Sequence, residues 1–271
     1  AAAWRDCALL VAQHGVASMA PKGMFASFRL FRLCIHSPEY RRKACSVRQS
    51  LTTPPLALLC RYNVILALFS ATSFYVTATA LGWDYGSGEW LRRLTGDTPQ
   101  PLFQCPSRVW DSKLFVWTAK AFYYSKYVEY LDTAWLVLKG KNVSFLQAFH
   151  HFGAPWDVYL GIRLQNEGVW IFMFFNSFIH TIMYTYYGLT AAGYKIKAKP
   201  LITAMQISQF MGGFILVWDY INIPCFRSDN GKVFSWVFNY AYVGFVFLLF
   251  CHFFYKDNLA SKKPAKGGKA L

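Results

Sequence analysis

Charge is what this sequence has least of. Only 15% of its 271 residues are charged, against about 25% in an ordinary soluble domain. Such a shortage argues against a soluble fold. The chain also lacks the polar bias, glycine repeat or heptad pattern that would mark disorder, collagen or coiled coil. Acidic residues are the scarcer sign, 13 against 28 Lys and Arg, which leaves a formal net charge of +15. Cysteine, at seven residues, is too sparse for a disulfide scaffold. What remains is apolar: 55% hydrophobic and 19% aromatic. A greasy chain with a basic excess implies a membrane protein whose cationic connections stay on the cytosolic side.

About 20 mainly apolar residues are needed to cross a bilayer as a helix. Candidate spans lie at 62–82, 113–138, 143–160, 168–190, 200–222 and 232–255. The third is the weakest, since it is short and carries Gln147, His150, His151 and Asp157. Pro155 should kink or end it, and a re-entrant segment buried in protein would suit it nearly as well. The fold class expected is therefore all-α, a polytopic membrane helix bundle of six spans.

Lys139 and Lys141 follow the second span, Lys195, Lys197 and Lys199 the fourth, and Lys256, Lys262, Lys263, Lys266 and Lys269 the sixth. The other connections carry little net positive charge, so the Lys-rich ones are assigned to the cytosol. Cys105 and Cys225 then both fall on the opposite side, where a disulfide persists. A Cys105–Cys225 bridge and two unrelated thiols both fit the sequence. Residues 1–61 stand apart, with nine Lys and Arg against two acids and no adequate span. They read either as a basic cytosolic arm or as a segment foreign to the working protein. The membrane domain is placed at 62–255, with a Lys-rich cytosolic tail at 256–271.

Ionisable groups inside spans are costly and mark functional sites by default. The second span holds KYVEYLDT, where Lys126, Glu129, Asp132 and Thr133 fall on one helical face. The third holds QAFHH, with Gln147, His150 and His151. In NSFIHTIMYTYY of the fourth, Asn176 and His180 are i, i+4 neighbours, and Met183, Tyr184 and Tyr187 continue that side. The fifth holds TAMQISQF, with Thr203, Gln206, Gln209 and Phe210 on one stripe. At about 1.5 Å per residue these groups lie roughly 9 to 18 Å from the cytosolic helix ends, in one layer. That common depth points to a single internal site.

Each element has a structural alternative. Lys126 with Glu129 or Asp132 could be an ion pair bracing the bundle, and Asn176, Gln206 and Gln209 could be interhelical glue. Tyr184, Tyr186 and Tyr187 could form an interfacial belt, and His252 reads better as a satisfied interfacial side chain. Adjacent histidines inside a span, with a third at similar depth, are harder to explain structurally. Only four of the six histidines lie outside the atypical first segment, too few for a di-iron desaturase. A mononuclear metal site on His150, His151, His180 and a carboxylate stays open, although no spacing demands it. The non-metal route uses an imidazole as nucleophile and a second histidine or an amide to polarise a carbonyl.

The four boxes, in this order and spacing, resemble the signature of the ELO family of fatty acid elongases across roughly residues 61–260. The family usually reads HxxHH where Gln147 stands here. The QxxHH variant and the stretch FLQAFHHFGAPWDVYLGIR resemble algal delta-9 polyunsaturated fatty acid elongases. Family members typically have seven spans around an internal acyl tunnel, one more than the six recognised here. The resemblance implies a very-long-chain 3-oxoacyl-CoA synthase of the endoplasmic reticulum membrane that condenses malonyl-CoA with an acyl-CoA. It needs no metal or redox cofactor, with malonyl-CoA as co-substrate. It implies His150 as the acyl-accepting nucleophile, with His151 and His180 assisting decarboxylation and stabilising the enolate. Gln147, Asn176, Tyr184, Tyr187, Thr203, Gln206 and Gln209 would orient these groups or the thioester. Lys126, Glu129 and Asp132 would brace them, and Lys139, Lys141, Lys195, Lys197 and Lys199 would bind CoA phosphates. Expected partners are the lipid bilayer and the reductase and dehydratase of the elongation cycle, with no nucleic acid; a homodimer is compatible. The rival class is a non-enzymatic bundle, a small transporter or lipid receptor relaying through Glu129, Asp132 and His180. It requires a polar path through the whole membrane thickness, which only Asp219 would extend.

Overall fold

The computed structural model describes residues 56–81, Gly96 and 109–259, and the described residues form helices and turns with no strand. Eight helices follow in order: α1 (Leu56–Ala80), α2 (Lys113–Val128), α3 (Tyr130–Leu138), α4 (Phe145–Arg163), α5 (Val169–Ala191), α6 (Lys199–Trp218), the short α7 (Pro224–Arg227) and α8 (Asn230–Phe254). The chain divides into two compact units. One contains Tyr130–Ser144 together with the residues up to Pro54; the other comprises 55–129 and 145–271.

Local chemistry explains where the helices start and stop. Ser112 caps α2, its Oγ accepting from the Phe115 amide at 3.1 Å. The Asp229 side chain caps α8 by accepting from the amides of Gly231 and Lys232; each such cap contributes about 1 kcal/mol. Pro200 stands in the first turn of α6, where its missing N–H costs nothing. Helix α5 ends on Gly193 at φ +99°. The Gly193 amide bonds Thr190 O and the Tyr194 amide bonds Leu189 O, the paired arrangement that a left-handed residue makes possible.

Two spans differ from the sequence expectation. The stretch 113–138 is interrupted at Glu129 and becomes α2 and α3. The segment around His150 is neither ended by Pro155 nor re-entrant in form: α4 runs through it as one 19-residue helix. Pro155 removes only the one bond that would have reached the His151 carbonyl. At 1.5 Å per residue α4 is about 28 Å long, close to the hydrocarbon thickness. Among the described residues, Leu56–Ala80, Lys199–Asn222 and Asn230–Asp257 are long and apolar enough to cross a membrane on length and composition. Helices α4 and α5 have comparable length, and the histidines, amides and carboxyl they carry lower their hydropathy. The result is a multi-pass membrane helix bundle.

Neighbouring helices run antiparallel. Gly188 of α5 approaches Asn63 of α1, while Phe174 and Phe178 meet Phe74. Phe145 of α4 meets Phe245 of α8, and Asn166, just beyond α4, donates to Ser235 Oγ near the start of α8. Phe210 of α6 packs on Phe247 and Phe250, and Trp218 on Trp236. The largest buried cluster gathers Val109, Phe115, Trp170, Met173, Tyr220 and Phe226, tied by a Trp170 Nε1–H bond to Tyr220 Oη at 2.7 Å. This cluster closes the end of the bundle away from His180 and leaves the polar layer among α2, α4, α5 and α6.

Candidate active site

Lys126 is 2% exposed and its ammonium is fully engaged: Nζ donates to Glu129 Oε1 at 2.8 Å and to Asn176 Oδ1 at 2.9 Å. It also lies 4.1 Å over the Phe122 ring. Of the two acids considered for Lys126, Glu129 is the one this geometry seats on it. Because Asn176 Oδ1 accepts from Lys126, the other end of the amide, Nδ2, faces His180 Nε2 at 3.1 Å. An amide nitrogen can only donate, so His180 Nε2 accepts and its proton sits on Nδ1. That atom is 3.6 Å from Glu129 Oε1. One buried carboxylate thus serves an ammonium and an imidazole on two helices.

The pair on α4 is asymmetric. Gln147 Nε2 lies 2.9 Å from His151 Nε2, so the amide donates and His151 holds its proton on Nδ1. His151 also hydrogen-bonds the Glu129 backbone. The His150 ring has no hydrogen-bond partner among the described residues. It stands edge-on to His151, with centroids 5.3 Å apart, and to Phe250 at 6.3 Å. Its backbone is held instead, since Tyr242 Oη donates to His150 O at 2.8 Å. Gly153 lies against the same tyrosine, where an added Cβ would meet Tyr242 Cε2 at 2.2 Å.

The remaining predicted residues divide. Tyr184 is 1% exposed with its ring 5.5 Å from His180, while Tyr187 is at the surface. Among the described residues Gln206 Nε2 reaches only Met183 Sδ, at 3.5 Å, and Thr203 Oγ1 bonds back to Lys199 O. Gln209 Oε1 is buried with no partner among the described residues and lines a cavity of about 50 Å³ with Asn176, Gly213, Phe214 and Val217. Asp132, Lys139 and Lys141 belong to the unit containing α3, Asp132 half-buried and both lysines exposed. Partial desolvation and the neighbouring Lys141 hold the Lys139 amine below the ordinary lysine value. Lys195 and Lys197 are exposed, whereas Lys199 is paired with Asp257 at 2.6 Å and lies over Phe253. Cys225 is disulfide-bonded; Cys105 lies outside the described residues, as do the segment up to Pro55 and the tail beyond Leu259. Asp219 is exposed.

Three side chains absent from the predicted set prove central. Tyr242 positions the His150 backbone, and Asp157 and Asn239 line the cavity and bond to each other at 2.8 Å. Asp157 was legible in principle, since seven residues after His150 is the same helical face. Tyr242 and Asn239 sit in an apolar helix with no local pattern to expose them. Among the described residues no group of three or more His, Cys, Asp or Glu could hold a metal ion.

The family profile described as ELO: GNS1/SUR4 family matches residues 24–266. Very long chain fatty acid elongase 7 of Rattus norvegicus is 33% identical over 205 residues, 72% of this chain and 67% of its own length. Very long chain fatty acid elongase 6 of Mus musculus is 29% identical over 167 residues, 59% of this chain and 62% of its own. Fatty acid elongase A of Dictyostelium discoideum is 32% identical over 174 residues, 61% of this chain and 64% of its own. The chain thus spans roughly two thirds of the length of these relatives.

Proposed function

The chain belongs to the ELO family, and from that membership we propose that it is a very-long-chain 3-oxoacyl-CoA synthase. It condenses malonyl-CoA with a polyunsaturated acyl-CoA, of the eighteen-carbon delta-9 type such as linoleoyl or alpha-linolenoyl, in the endoplasmic reticulum membrane. The observation that carries the reading is the asymmetry of the three histidines. His151 and His180 each have a ring nitrogen held by an amide, while the His150 imidazole beside them has no hydrogen-bond partner among the described residues. A nucleophile needs a free lone pair; its assistants need fixed orientation.

In this scheme a His150 ring nitrogen attacks the thioester carbonyl and the CoA thiolate leaves with the imidazole proton. Loss of carbon dioxide from malonyl-CoA leaves an enolate, whose carbon attacks the acyl-imidazole, and His150 departs as neutral imidazole by taking up one proton from water. The products are 3-oxoacyl-CoA, free CoA and carbon dioxide. His180, fixed by Asn176 and Glu129, and His151, fixed by Gln147, stabilise the oxyanions. Lys126 keeps the buried Glu129 ionised. The CoA phosphates dock on Lys195 and Lys197 at the cytosolic face; Lys199 joins them only by releasing Asp257. The acyl chain enters the cavity beyond Asn176. The product passes to the reductase and dehydratase of the elongation cycle.

The test is expression in yeast fed linoleate, with total fatty acids profiled beside a His150→Ala control. A twenty-carbon product with two double bonds that disappears in the control is the expected result. A product that persists without His150 would sink the nucleophile assignment. One observation favours the transporter reading: polar side chains continue past the histidine layer through Asp157, Asn239 and Ser235 along the cavity. A silent but well-expressed chain, tried with several acyl substrates, would move the balance to it.

A further inference from the structure

The carboxyl of Asp157 is not used in the condensation scheme, yet it is among the costliest groups in the bundle. It is 5% exposed, no basic side chain pairs with it among the described residues, and its one hydrogen bond is that from Asn239 Nδ2 to Oδ2 at 2.8 Å. Its second oxygen, Oδ1, has no hydrogen-bond partner among the described residues. Both side chains line the cavity, whose wall combines apolar groups such as Phe172, Phe214 and Val243 with the neutral polar side chains of Asn166, Asn176, Gln209 and Ser235 and holds no basic residue. A lone ionised carboxylate is not sustained in such a place, and the group neutralises instead. With Oδ2 committed as an acceptor, the proton resides on Oδ1, a donor with no hydrogen-bond partner among the described residues; the free amide oxygen of Gln209 lines the same cavity without bonding to it.

Position along α4 decides what meets that donor. Asp157 follows His150 by seven residues, which at 100° per residue returns it to within about 20° of the same stripe, roughly 10 Å further along the axis. Carbon–carbon bonds of about 1.5 Å in an extended zigzag advance roughly 1.3 Å each. A chain attached at His150 therefore brings about its ninth carbon level with Asp157. A methylene there leaves the Oδ1 proton unsatisfied, whereas a carbon–carbon double bond offers π density as a weak acceptor. Gly213 adds room in the same wall, since a Cβ placed there would meet no heavy atom within 4 Å; a bent chain needs such space.

We infer that the Asp157–Asn239 pair is a specificity-determining element that reads a cis double bond at about the ninth carbon of the acyl chain. The inference rests on the condensing activity proposed above and adds to it the residues that choose the chain. The test uses membranes carrying the full-length protein, malonyl-CoA, and in turn stearoyl-CoA, linoleoyl-CoA, and octadecenoyl-CoA unsaturated at carbon 9 or at carbon 6. Each preference is a ratio of rates within one membrane preparation, so losses of folded protein cancel. The wild type is expected to prefer the two chains unsaturated at carbon 9 over both stearoyl and the carbon 6 isomer. Asp157→Leu and Asn239→Leu are each expected to lower the preference for carbon 9 over stearoyl by roughly three- to five-fold. Asp157→Asn, which retains a donor of the same shape, keeps most of it. Unchanged ratios in both leucine variants, or a carbon 6 isomer favoured as strongly as carbon 9, would overturn the inference and leave the condensing reading standing. A wild type that condenses none of the four chains would overturn both.

Discussion

Lys126 is where the arithmetic of burial is sharpest. Its pairing with Glu129 is almost wholly buried, 2% and 6% of the two side chains remaining exposed. A buried pair of this kind adds little net stability, but removing one member leaves the other charge uncompensated. Lys126→Met should therefore lower stability by about 3–5 kcal/mol, read as an earlier thermal transition in detergent. The double change Lys126→Met with Glu129→Leu removes both charges and should recover most of that loss. It should remain inactive, because Asn176 and His180 lose the partners that orient them. A single variant as stable as wild type would show that Glu129 carries no charge. The same chain of bonds explains why Asn176 cannot turn over: its Oδ1 is claimed by an ammonium and its Nδ2 by an imidazole.

Between elements, the contact that matters most for the nucleophile is the seam of α4 with α8. Tyr242 is stacked between Phe149 and Phe238 and donates to His150 O, and it fits only because position 153 has no side chain. Gly153→Ala should cost about 1–3 kcal/mol from overpacking and should reduce condensation beyond its loss of folded protein, since it displaces the ring that holds the His150 backbone. Adding Tyr242→Ala opens the space again and should restore thermal stability without restoring rate. If both recover together, the seam is only packing. Pro155 belongs to the same picture. It lies one turn past His151 and weakens α4 just where the catalytic layer meets the cavity, yet the helix continues because α2 and α8 pack along it.

For the whole molecule, the question is how a polyanionic carrier meets a greasy bundle. The net charge of +15 supplies long-range attraction, but the lysines differ locally. Lys195 and Lys197 are exposed without an ion-pair partner among the described residues, whereas Lys199 is held by Asp257. Replacing both Lys195 and Lys197 by Glu should raise the KM for acyl-CoA several-fold while leaving kcat near wild type. Added salt, which screens exposed charges over about 10 Å at 0.1 M, should shrink the difference between variant and wild type. A change in kcat instead would place these lysines in the chemistry rather than in docking.

The sequence by itself determined what depends on near neighbours: helices of membrane length, an apolar exterior, and polar residues at i, i+3 and i+4 in one layer. Those signals placed Lys126, Glu129, His150, His151, Asn176 and His180 in one candidate site before any coordinates. They also carried the family resemblance, because its boxes are local. They did not show the interruption at Glu129, which no glycine or proline marks. Nor did they show which acid holds Lys126, which end of the Asn176 amide meets His180, or that the His150 ring has no hydrogen-bond partner among the described residues. Those facts depend on hydrogen bonds between residues such as 126 and 176, fifty apart, and periodicity is blind to partners on another helix. Asp157 and Asn239, 82 residues apart, make the same point. Each reads alone as an isolated polar residue in an apolar run, and only the packing of α4 against α8 turns them into a pair facing a cavity.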